Sequence, residues 1–164
     1  MNRENCMQHH IRLAVILFAA LLASAAASHG QARVTGIGFI AGEPTGISVK
    51  HFLTGDTALD AGAAWSLVKD SHFHLHVDYL FHNFSILKRE FDVSEGELPL
   101  YYGIGGRVRF DRDVRAGVRV VCGVSYRFED APIDIFFEVA PIMDLIPTTE
   151  LNGNVGVGVR FWLR

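Results

Sequence analysis

The chain has 164 residues, a formal net charge of −3 and 20% charged residues. So small and mixed a charge carries no nucleic-acid footprint, and the length suits one domain around one interior. Its two cysteines are Cys6 and Cys122. Cys6 falls in an N-terminal leader, so no intramolecular disulfide is expected in what remains.

The leader comes first in the chain. Arg3, His9, His10 and Arg12 make a basic start, Leu13 to Leu22 an apolar stretch, and LLASAAASHGQA a small-residue exit. The apolar stretch is shorter than the roughly 20 residues of a membrane-spanning helix, which reads as a secretory signal peptide. Residues 1–32 are predicted to be removed by cleavage after Ala27 or Ala32, leaving residues 33–164 as the folded domain.

Eight strand-like segments follow, at 33–41, 45–53, 57–67, 71–86, 98–110, 114–128, 132–141 and 151–163. Turn-forming stretches separate them, among them AGEPTG, TGDT, VKDS, FDRDV, FEDAP and the proline-bearing MDLIPTTE. No convincing amphipathic helix interrupts the series, so the connections are not helical crossovers and the sheet should be antiparallel.

The segments alternate, because successive side chains of a strand point to opposite faces. Early segments set Ile37, Phe39, Ile47, Val49, Leu59, Ala61, Ala63 and Trp65 against Gly36, Gly38, Ser48, Lys50, Asp60 and Gly62. The stretch SHFHLHVDYLFHNF, residues 71–84, sets Phe73, Leu75, Val77, Tyr79 and Phe81 against His72, His74, His76, Asp78 and His82. Later segments place Val118, Val120, Cys122, Val124, Ile133, Ile135, Phe137, Val155, Val157, Val159 and Phe161 on the apolar face. Arg107, Arg109, Arg115, Arg119, Arg127, Asp134, Glu138 and Arg160 occupy the other.

Alternation alone does not say which face is inside. A soluble barrel turns the apolar face inward, whereas a membrane barrel reverses both faces. Three features favour the membrane arrangement. The polar face is rich in glycine, at Gly36, Gly38, Gly62, Gly103, Gly105, Gly117, Gly123, Gly156 and Gly158, which suits a narrow lumen better than a wetted surface. Its charges balance locally, as enclosed charges must. Aromatics also gather near segment ends, at Trp65, Phe81, Phe84, Tyr101, Tyr102, Phe128, Phe161 and Trp162, as an interfacial girdle does.

The ordered segments GIGFIAGEPTGISVKHFL, HLHVDYLFHNF, LPLYYGIGGRVRF and APIDIFFEVAPIMDLIP, closing on GVGVRFWL, are similar to a small family of outer-membrane β-barrel proteins of unknown function from diderm bacteria. The similarity runs from Gly36 to Leu163. It implies an all-β, eight-stranded antiparallel up-and-down transmembrane barrel of the OmpX or OmpA type, and no particular activity. It also implies outer-membrane lipid as the surroundings and a C-terminal strand read by the barrel-assembly machinery. Such barrels usually end on an aromatic; here Phe161, Trp162 and Leu163 are followed by Arg164.

On this reading Lys50, Asp60, Asp78, Arg107, Arg109, Arg115, Arg119, Arg127, Asp134, Glu138 and Arg160 form a lumen charge network. The apolar set from Val118 to Phe161 meets lipid. His72, His74 and His76 stand at H-x-H spacing, a possible half-site for zinc or copper, although imidazoles filling the lumen are the simpler expectation. Ser48, Ser66 and Ser125 share the lumen face, but no motif marks a nucleophile. The runs GIGF, GIGGR and GNVGVGVR lack the GK[ST] ending of a phosphate loop. No enzyme activity, no cofactor, no nucleic-acid partner and a monomeric state are therefore expected. Two further readings stay open: a soluble periplasmic barrel holding a lipid or small apolar ligand, and a narrow ion channel.

Overall fold

The computed structural model describes residues 34–43, 45–66, 72–91, 95–110 and 114–163. The expected signal peptide lies outside them. The strands are β1 (Thr35–Glu43), β2 (Thr45–Phe52), β3 (Thr57–Ser66), β4 (His72–Asn83), β5 (Leu100–Phe110), β6 (Val114–Arg127), β7 (Ile133–Ile146) and β8 (Glu150–Trp162). Each pairs antiparallel with its sequence neighbour, and β8 pairs back onto β1, with Phe161 opposite Ile37 and Arg160 opposite Gly38. This closes an eight-stranded barrel and leaves no free sheet edge.

Between β4 and β5 lies a single helical turn, α1 (Ile86–Phe91). The hydrophobic pattern did not announce it, since none of its residues is buried. It starts because the Asn83 side-chain oxygen accepts hydrogen bonds from the amides of Ser85 and Ile86, both at 3.0 Å, which occupies donors a helix start leaves free.

The two faces are sorted as a membrane barrel requires. Outside, Phe39, Val120, Ile135, Phe137, Val155, Val157, Val159 and Phe161 are all exposed, Val157 by 51%. Inside, Arg160 is 0% and Arg119 1% exposed. A barrel built to hold an apolar ligand has the reverse arrangement, so the soluble lipid-binding alternative fails on facing. Aromatic rings cluster at two levels on the outer wall of β3 to β5. Phe73 stacks between Trp65 and Phe110 at 6.5 and 6.1 Å, and Phe81 contacts Tyr79 and Tyr102 at 5.1 and 5.9 Å. Phe73 and Phe81 lie eight residues apart on β4, roughly 26 Å along the strand at about 3.3 Å per residue and about 20 Å along a barrel axis at the usual tilt.

Inside, four large rings each face a glycine on the neighbouring strand. Gly123 lies opposite Tyr101, Gly158 opposite Phe136, Gly36 opposite Trp162 and Gly62 opposite His76. A Cβ added at any of these glycines would run into the ring of its cross-strand partner. The glycines thus supply the space that the large lumen side chains fill. Tyr101 and Trp162, counted above with the girdle, turn inward for this reason: Tyr101 shares the parity of Gly103, Gly105 and Arg107, and both rings are buried.

β7 also departs from expectation. It runs on through Pro141 to Ile146 instead of stopping at 141, which leaves only residues 147–149 between β7 and β8. Proline lacks an amide donor, and the β6 to β7 pairing is interrupted around it: Arg119 pairs with Ile142 and Cys122 with Val139, with no ladder pair between. On its other side Pro141 still pairs with Gly153 of β8. The consequence is an extra turn of lumen wall that carries Asp144.

Gly158→Val and Gly123→Val are expected to destabilise the folded barrel by about 1–3 kcal/mol each through overpacking against Phe136 and Tyr101. Gly55→Ala is the control, because nothing lies within 4 Å of a Cβ built there. Urea unfolding in detergent micelles, followed by tryptophan fluorescence, measures the difference.

Candidate functional site: the charged lumen

The inward parity of β1 to β8 brings together groups far apart in the chain. Near the end that carries the termini, Arg160 of β8 is held by two carboxylates. Its Nη1 reaches Asp60 Oδ2 at 2.6 Å and its Nε donates to Asp134 Oδ1 at 3.2 Å, while its guanidinium lies 3.8 Å from the centre of the Phe136 ring. Ser48 accepts from Arg160 and donates to Asp60, both at 3.3 Å. Lys50 Nζ sits 3.5 Å from Asp60, 4.0 Å from the centre of the Tyr101 ring and 3.4 Å from His82 Nε2.

A second group is centred on Arg119 of β6, whose Nε lies 3.1 Å from Asp78 and whose Nη2 donates to Glu138 at 2.8 Å. The Tyr101 hydroxyl donates to the other oxygen of Glu138 at 3.2 Å. A third group lies toward the opposite end. Arg107 Nη2 reaches both oxygens of Asp144 at 2.9 Å, and Asn152 donates to Asp144 at 2.8 Å. Charges withdrawn from water are tolerable only when paired and hydrogen-bonded in this way.

Of the expected network, Lys50, Asp60, Asp78, Arg107, Arg119, Asp134, Glu138 and Arg160 are buried in the lumen. Arg109, Arg115 and Arg127 are only half-buried, because they stand at the ends of their strands where the barrel opens. Arg115 pairs there with Glu150, and Arg127 pairs with Glu97 at 3.1 Å and lies over the rings of Trp162 and Phe52. Val124 and Ile133, placed with the lipid-facing set, are partly covered; the rest of that set is exposed. Asp144 was missed altogether, since Pro141 and Pro147 read as the end of a strand. The parity of Asp134, Phe136, Glu138, Ala140 and Ile142 continues through it and was the available signal.

His72 lies in β4, and His74 and His76 are buried beside it with ring centres 5.8 Å apart. Among the described residues no group of three His, Cys, Asp or Glu side chains is placed to hold a metal ion. Ser48 and Ser125 are buried in the lumen, and Ser48 is engaged by Arg160 and Asp60, not by an imidazole. Cys122 faces outward as a free thiol.

A search of solved structures finds the N-terminal β-barrel domain of Pseudomonas aeruginosa OprF, with a TM-score of 0.54 and 14% identity, covering 77% of this chain and 93% of that one. The chain has the fold of the eight-stranded outer-membrane barrels. Neisserial surface protein A is also found, at a TM-score of 0.49 and 14% identity, over 79% of this chain and 93% of that one. No family model and no curated protein matches the sequence. In this outer-membrane-type barrel the fold is shared with OprF, while the lumen side chains are described from the chain itself; one fold hosts many functions.

Asp144→Ala strands the Arg107 guanidinium in the lumen and is expected to cost about 3–5 kcal/mol of stability. Glu97→Ala breaks only the rim pair with Arg127 and is expected to cost less than about 1 kcal/mol. Equilibrium unfolding of the refolded barrel in micelles compares the two.

Proposed function

We propose that the protein is an integral outer-membrane barrel of a diderm bacterium, exported by residues 1–32 and acting as a closed, non-catalytic element of the membrane. The observation that carries this reading is the inversion of the wall: a ring of exposed valine, isoleucine and phenylalanine outside, and paired ions inside. Water on the outer wall would gain nothing from that arrangement, whereas hydrocarbon demands it. Strands of 8 to 14 residues bracket the roughly 9–11 residues of a tilted crossing.

The connections at the end away from the termini support a mostly embedded role. Each occupies a short interval, at residues 44, 67–71, 111–113 and 147–149. The long connection, residues 84–99, is at the end that carries the termini. With both termini periplasmic, this long connection lies on the periplasmic side, the reverse of the usual short periplasmic turns and longer outer loops. Little chain is left outside for an adhesin or a large receptor surface. The protein would enter the membrane as a monomer through the assembly machinery that reads the C-terminal strand, here β8 with Phe161 and Trp162 as its last residues.

The barrel should resist carbonate extraction and run at a lower apparent mass on gels unless boiled. Recovery in the carbonate supernatant would defeat the membrane reading. Val157→Arg on the outer wall should cost about 2–4 kcal/mol if it sits at the bilayer midplane, as read by unfolding in lipid vesicles.

A further inference from the structure

A row of proton-carrying groups runs down the lumen, and the ion pairs alone do not account for it. Along the inward face of β4 stand His74, His76, Asp78, Leu80 and His82, all buried. His74 and His76 have ring centres 5.8 Å apart, and His76 Nε2 lies 4.0 Å from Asp78 Oδ2. Leu80 interrupts the row, and the chemistry steps sideways there. Asp78 is directly opposite Asp60 of β3, at about 5 Å between their Cβ atoms in such a pair. Asp60 lies 3.5 Å from Lys50 Nζ, and Lys50 Nζ lies 3.4 Å from His82 Nε2 near the terminus-bearing end. At the other end, a void of about 10 Å³ is bordered by His74, His76, Arg119, Glu138 and Glu43, about the space of a single water.

Two further observations point to a mobile proton here. His76 Nδ1 and His82 Nδ1 are buried with no hydrogen-bond partner among the described residues, so each ring has a nitrogen free to take or release a proton. Among the described residues the buried side chains include five carboxylates, Asp60, Asp78, Asp134, Glu138 and Asp144, beside Lys50, Arg107, Arg119 and Arg160, with Arg109 and Arg115 half-buried toward the rim, so groups that take up a proton are close at hand along the row.

We propose that the lumen, closed to solutes and to other ions, conducts protons along His74, His76, Asp78, Asp60, Lys50 and His82. A proton bound at one ring nitrogen of His76 is matched by release of the proton on the other nitrogen to the Asp78 carboxylate. Each carboxylate or amine then gains one proton and passes one on, so no net charge stays behind. The groups facing this path set its field: Arg107 of β5 lies opposite His76, Arg119 of β6 binds Asp78, Arg160 of β8 binds Asp60, and Tyr101 of β5 packs against both Lys50 and His82. These side chains crowd the path, so it admits the one cation that moves by exchange of bonds.

The inference rests on the closed-barrel reading, and one experiment separates the two. Refolded protein in phosphatidylcholine vesicles with an entrapped pH dye is given a potassium diffusion potential with valinomycin, and potassium and chloride fluxes are measured in parallel without the ionophore. The expected result is acidification faster than in protein-free vesicles, with no potassium or chloride flux. His76→Leu and His82→Leu, each shown to be folded by heat modifiability, should both return proton flux to the protein-free rate. Wild-type flux no faster than in protein-free vesicles, or flux in either folded variant equal to that of the wild type, overturns the proton path and leaves the closed barrel standing. Potassium or chloride flux overturns the closed barrel itself.

Discussion

A ring of eight strands encloses a cylinder narrow enough that its inward side chains must fill it, and because those side chains are ionic they must also neutralise one another. Every other feature of this protein answers to that constraint. Arg160, Arg119 and Arg107 each reach a carboxylate on a strand that is not their ladder neighbour, Asp60, Asp78 and Asp144 in turn, so these ion pairs tie together parts of the wall that the hydrogen-bond ladder does not join directly. Glycine is the other half of the solution. Where Tyr101, Phe136, Trp162 or His76 projects inward, the neighbouring strand offers Gly123, Gly158, Gly36 or Gly62. A bulky residue on both sides of any such pair would need the same space twice.

With the interior carboxylates paired with cations, the exterior is free to be plain hydrocarbon. The outer positions of β6, β7 and β8 are mainly valine, isoleucine and phenylalanine, residues that suit an extended backbone and ask nothing polar of their surroundings. Ring clusters at two levels bound the outer wall of β3 to β5. Backbone donors and acceptors are consumed by the closed ladder, which is the condition for a sheet to sit in lipid. The ladder is interrupted at Pro141, where one side of β7 lacks a donor and β8 still holds the other.

The same packing gives the lumen its chemical character. Ions clasped in pairs line the lumen, and the imidazoles of β4, the opposed carboxylates Asp60 and Asp78, and Lys50 stand in sequence among them. Permeability to a proton and to a hydrated ion are different properties, because the first needs adjacent donors and acceptors and the second needs empty space.

Strand number, antiparallel order and the two faces were legible in the alternation, since side-chain period in a strand is two and each segment keeps it for long enough to be counted. The same parity named eight of the buried charges, from Lys50 to Arg160. It carried no information on depth along the axis, so Arg109, Arg115 and Arg127 were grouped with buried residues although they stand at the rims. It was also overridden by proline at Pro141, hiding Asp144, and by aromatic character at Tyr101, which was assigned to the girdle against its own parity. What the amino-acid order determined by itself is the two-sided strand, because that follows from local backbone geometry. Closure decided the rest: only when β8 met β1 did outside become distinct from inside, and only then did Arg160, already beside its ladder partner Asp134, also reach Asp60 of β3, because β8 and β3 share no ladder and meet solely across the finished lumen.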